Sequence, residues 1–186
     1  PQSVGGLFIV LRVVSCRERD VQKEKKKRGS RRPMNQGRPP ERMGQRMTRR
    51  QARELAFILL FEKTFTSEPV RDILAGAQEA RDVEEDTFAL SLAEGAEREA
   101  AAIDERIAAY SHKWSKERIS RVALSIMRLA VYEMLFVEDI PVSVSINEAV
   151  ELAKKYGGDD DSSFVNGVLG GISRGMDKEK PEDAPV

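Results

Sequence analysis

The chain has 186 residues, 40% hydrophobic and 33% charged, which suits about one domain with a real core. A lone Cys16 and a lone His112 exclude an internal disulfide framework, a multi-cysteine zinc site and a histidine-based metal cluster. The balance of 31 basic and 31 acidic residues conceals a division: Pro1 to Arg53 carry 16 basic and 4 acidic residues, leaving 15 and 27 to Glu54–Val186, so a head of net +12 precedes a body of net −12.

No apolar run approaches the roughly 18 residues of a membrane span. The best candidate, LFIVL at 7–11, is broken by Arg12 and has no basic stretch before it, so neither a membrane contact nor a signal peptide is expected. The expected compartment is a reducing cytoplasm, with Cys16 an incidental thiol.

From Cys16 to Arg46 the sequence is basic, rich in Pro and Gly and nearly free of apolar residues. Such a stretch buries too little surface to offset its ordering entropy, so 1–46 is expected to be a disordered basic extension. Two readings stand for it: an arm that adds non-specific affinity for nucleic acid, or an upstream extension before a natural start at Met47, where the amphipathic pattern opens.

From Thr48 the period is helical nearly everywhere, with no sustained alternation of the kind strands need. Thr48 is the expected N-cap of a first helix with Ala52, Leu55, Ala56, Leu59 and Leu60 on one face. Glu68-Pro69-Val70 opens a short second helix containing Ile73, Leu74 and Ala77. A long third follows Asp82 and runs its stripe from Ala89 to Ile107, with an acidic outer face. Ser115 is the expected cap of the next segment, whose apolar residues from Ile119 to Leu135 cover almost the whole circumference and mark it as the centre of a bundle. Asp139-Ile140-Pro141 stops it. Another helix spans about Ser143–Tyr156 and ends at Gly157-Gly158. The last starts at Asp160 or Asp161, carries Phe164, Val165, Val168, Leu169 and Ile172, and gives way after Arg174 to a polar tail, 175–186. The expectation is an all-α domain over 47–174.

Catalysis finds no seat in this chain. Phosphate-cradling glycine loops are missing, His112 lacks a partnered nucleophile, and the acidic pairs lie on a solvated helix face or at a helix start, where carboxylates favour the dipole. No enzyme, metal or cofactor is implied. What remains is the basic opening of the first helix. At roughly 100° per residue, Arg49, Arg53 and Arg50 fall near 0°, 40° and 100°, so three guanidinium groups share one sector beside the apolar stripe. Their planar forks suit phosphates and base edges. Phe57 and Phe61 lie further along the same helix, where rings near arginines can stack unpaired bases or can simply be core.

The segments MTRRQARELAFILLFE at 47–62, SRVALSIMRLAVYEML at 120–135, DIPVSVSINEAVELAKKYG at 139–157 and SSFVNGVLGGI at 162–172 resemble the bacterial NusB family of transcription antitermination factors, in its order and spacing. The resemblance implies a compact bundle of about seven helices in two packed subdomains. It implies binding of boxA RNA as a heterodimer with NusE, the ribosomal small-subunit protein, in support of ribosomal RNA operons. RNA polymerase in its elongation complex and other Nus factors are the wider partners. By resemblance, the RNA contacts fall on Arg49, Arg50, Arg53, Phe61 and Phe164, and Asp160 falls at a partner or RNA surface. Many relatives have a longer arginine run, which Gln51 interrupts here. Two other readings remain: a helical adaptor without RNA contact, and an accessory NusB-like domain of an rRNA methyltransferase. The second is disfavoured because only about 12 residues follow Arg174. The acidic body repels RNA over most of its surface and attracts a basic partner such as a ribosomal protein.

Overall fold

Thr48 starts the helical body with a reciprocal cap. Its hydroxyl accepts from the Gln51 N–H at 3.3 Å while the Gln51 side chain accepts from the Thr48 N–H at 2.9 Å. The Gln51 that interrupts the arginine run is therefore the closing half of the capping box. In the computed structural model, residues 47–81, 83–111 and 119–179 are described. Among them are seven helices and no strand: α1 Arg49–Lys63, α2 Val70–Arg81, α3 Thr87–Arg98, α4 Ala100–Tyr110, α5 Arg121–Phe136, α6 Val142–Tyr156 and α7 Asp161–Glu179. The extension 1–46 and the residues His112 and Ser115 lie outside the described residues.

Helix α5 is the hub. Ala123, Ile126, Met127, Leu129, Ala130, Val131 and Met134 are all buried, and α1, α3, α4, α6 and α7 each pack against it. The all-round apolar pattern required such a place, because no single face could hold those side chains. Around the hub, α1 lies against α2 and α3, and α6 lies against α7. Phe57, Leu59, Leu92, Ile103, Leu169 and Ile172 complete the interior.

Three expectations change at element ends. The long third helix is two helices, α3 and α4, broken at Glu99 with φ −93° and ψ 13°. No Gly or Pro stands at the break. Its cause is tertiary: α3 packs on α1, whereas α4 packs on α7, so one straight axis cannot serve both. The described start of α5 is capped by Ser120, whose hydroxyl accepts from the Ala123 N–H at 2.9 Å. Helix α7 continues past Arg174 to Glu179. Gly171 and Gly175, one turn apart on α7, leave the space that the Tyr110 ring of α4 fills, so the segment read as polar tail carries a packing contact. Gly157 ends α6 as expected, its N–H donating to the Ala153 carbonyl at 2.8 Å.

Candidate nucleic-acid interface

The three arginines of α1 begin in one sector and end in different environments. Arg49 is exposed, and its guanidinium carbon stands 3.9 Å from the ring centroid of Phe88 on α3. Arg50 projects toward α6, where it meets Glu151 at 3.5 Å and Glu148 at 4.0 Å with its side chain 65% exposed. Arg53 is only 6% exposed. Its Nε donates to both carboxylate oxygens of Glu133 on α5, at 2.8 and 3.1 Å, and its guanidinium also faces Phe88 at 5.8 Å. Glu133 is itself 2% exposed, so each charge needs the other.

The expected display of three forks thus reduces to two. Arg53 faces inward because it lies three and four positions before Ala56 and Phe57, both buried, and so borders the apolar stripe that docks on α5. Phe61, 3% exposed, and Phe164, 6% exposed, are also interior, so neither ring presents a face for stacking as expected of them. Phe61 instead continues a run of ring contacts along α1, with Phe57 at 6.0 Å and Phe65 at 5.2 Å. Asp160 is exposed, and its carbonyl accepts from the Phe164 N–H at 3.0 Å at the start of α7. The neighbouring Asp161 carboxylate accepts from Ser120 Oγ and from the Gly158 N–H, both at 2.9 Å, which ties the α6–α7 turn to the start of α5.

Two kinds of group escaped the sequence reading. Phe88 sits one place off the α3 stripe, in an acidic segment, and only the fold brings it under Arg49 and Arg53. Glu148 and Glu151 lie about 100 positions from Arg50, and the helical period of α6 alone does not reveal what they face. Glu151 is held below the usual carboxylate range, first by Lys154 and then by Arg50. A second clasp joins α1 to α6 beside them: Lys155 Nζ donates to Glu54 at 3.1 and 3.2 Å, and the Tyr156 hydroxyl also donates to Glu54. The start of α1 is therefore tied to α6 through Arg50 and Glu54 and meets α3 through Arg49.

The family model described as the NusB family matches residues 50–174. A relative from Trichlorobacter lovleyi called transcription antitermination protein NusB is 46% identical over 123 residues, covering 65% of this chain and 87% of that one. A relative of the same name from Clostridium botulinum is 41% identical over 140 residues, covering 67% and 98%. Among solved structures, NusB of T. maritima aligns with a TM-score of 0.62 at 35% identity, over 69% of this chain and 92% of that chain. A chain from the crystal structure of antitermination factors NusB and NusE in complex with dsRNA aligns with a TM-score of 0.60 at 27% identity, over 69% and 99%.

Proposed function

The chain belongs to the NusB family, and on that premise we propose that it is a transcription antitermination factor that binds boxA-type nascent RNA together with NusE and supports transcription of ribosomal RNA operons. It works by binding alone, in the cytoplasm, within an elongation complex of RNA polymerase and other Nus factors. The observation that carries this reading is the pair Arg49 and Arg50, two exposed guanidinium groups on the capped first turn of α1. Their forks meet phosphate oxygens with paired hydrogen bonds. Arg53 is a positioning residue, bound to Glu133 and facing the same Phe88 ring as Arg49. Phe61 and Phe164 are buried and act through packing, and Asp160, exposed before the start of α7, is a contact for NusE or RNA. The acidic body, net −12 over Glu54–Val186, repels RNA over most of its surface and favours a cationic partner.

Titration of boxA-like single-stranded RNA by fluorescence anisotropy, with and without NusE, tests the reading. Weak binding alone and tighter binding with NusE are expected, and replacing Arg49 and Arg50 by Ala weakens both by roughly tenfold or more. Intact binding by that double variant would favour an adaptor without RNA contact.

A further inference from the structure

We propose that Phe65 and Arg121 form a second RNA contact, a stacking platform for an unpaired base at the far end of α1 from Arg49 and Arg50. The inference rests on the reading of this chain as an RNA-binding protein and adds to its site a pair of residues outside the expected set. Phe65 lies just past the end of α1 and is 43% exposed, in contrast to Phe61 one turn earlier at 3%. The guanidinium carbon of Arg121, the first residue of α5, lies 4.6 Å from the Phe65 ring centroid. The two exposed groups make a flat, cationic aromatic surface.

Their backbone supports are fixed. The Phe65 N–H donates to the Glu62 carbonyl at 3.0 Å, and Thr64 Oγ1 donates to the Phe61 carbonyl at 2.7 Å. Lys63 Nζ donates to the carbonyls of Ser67 and Glu68 at 3.2 and 2.6 Å, which holds the turn beyond Phe65. On the other side, Ser120 both caps α5 and donates to Asp161, setting where Arg121 begins. A base that lands here meets groups whose ordering has already been completed in folding.

The chemistry favours a nucleic acid over a protein. A protein-docking patch needs contiguous apolar area, whereas Phe65 is flanked in sequence by Thr64, Thr66 and Ser67. A base offers a π-face to the ring or to the guanidinium plane, and its phosphate carries the negative charge that Arg121, a cation within an acidic body, neutralises. Sixteen residues separate Arg49 from Phe65. At about 1.5 Å per helical residue that places the platform roughly 24 Å from the arginine pair, a span several nucleotides long.

The test is RNA titration of the full chain with NusE, using boxA-like single-stranded RNA carrying 2-aminopurine at successive positions. Phe65→Ala is expected to weaken binding about five- to a hundredfold and to abolish the quenching at one position, while Phe65→Tyr keeps both. Arg121→Ala is expected to weaken binding and to make the salt slope shallower by about 0.7. Thermal melting of each variant serves as the control for folding. If Arg49→Ala and Arg50→Ala weaken RNA binding but the Phe65 and Arg121 variants match the parent, the platform is refuted and the family reading stands. If the parent binds no RNA with NusE, the proposed function fails and the platform falls with it. Loss of NusE binding with RNA binding unchanged assigns the patch to protein contact and overturns the proposal.

Discussion

At Arg53, recognition and folding make opposing demands on one guanidinium. Its fork could meet RNA only by leaving Glu133, a carboxylate 2% exposed on the central helix. Removing one partner of a buried pair strands the other charge, which costs about 3–5 kcal/mol, whereas replacing both by apolar groups of similar volume is often neutral. Glu133→Ala and Arg53→Ala are therefore each expected to lower stability by about 3–5 kcal/mol in urea unfolding, and Arg53→Met with Glu133→Leu by much less. Single variants within about 1 kcal/mol of the parent would remove Arg53 from its positioning role. The contrasting residue is Arg50, whose carboxylate partners are solvent-accessible and, under the proposed function, compete with RNA phosphates for it. Glu151→Gln is expected to tighten RNA binding by no more than about fivefold, since exposed ion pairs are weak. The sign with pH follows from the depressed Glu151 pKa: its contacts with Lys154 and Arg50 are present above the unfolded value and are lost as pH falls through the folded one. RNA titrations across neutral pH are thus expected to show no step from this group.

Among the elements, close approach and open space at two glycines give opposite expectations. A Cβ on Gly95 of α3 runs into the Tyr132 ring of α5, and nothing lies within 4 Å of one on Gly76 of α2. Gly95→Ala should cost about 1–3 kcal/mol through overpacking, and Gly76→Ala should gain about 0.5–1 kcal/mol by stiffening the unfolded chain and favouring the helix. Melting temperatures that move in the same direction for both would contradict the α3–α5 packing described. Gly95 shows where local pattern suffices and where it does not. The helix around it is legible from the spacing of Ala89, Leu92, Ala93 and Ala96, and the Thr48 cap and the Gly157 stop are legible because each signal acts within one turn. The break at Glu99 is not, because it answers to packing against α1 and α7, and neither is the continuation of α7 to Glu179, which Tyr110 of α4 accompanies. The same distinction governs the site. Arg49 and Arg50 could be read from the first turn, but the burial of Arg53 depends on Glu133, 80 positions away. The platform at Phe65 depends on Arg121, which no local periodicity connects to it.

Across the whole molecule, charge is arranged so that RNA affinity must depend on how many cations near α1 engage phosphates. Beyond Arg53 the chain is net −12, so each additional phosphate bound along the body is opposed, and the described residues offer exposed arginines on α1 and at Arg121 against that field. Counterion release makes the dependence measurable: for single-stranded RNA the slope of log affinity against log salt is about −0.7 for each phosphate neutralised. Comparing the chain from Pro1 with one starting at Met47 isolates residues 1–46, which hold 13 basic and 4 acidic residues. If that segment engages RNA, the longer chain has the steeper slope and its advantage shrinks as salt rises. Equal slopes confine the electrostatic contact to α1 and Arg121, and the Arg49→Ala, Arg50→Ala and Arg121→Ala variants should then account for the slope of the shorter chain, each by about 0.7.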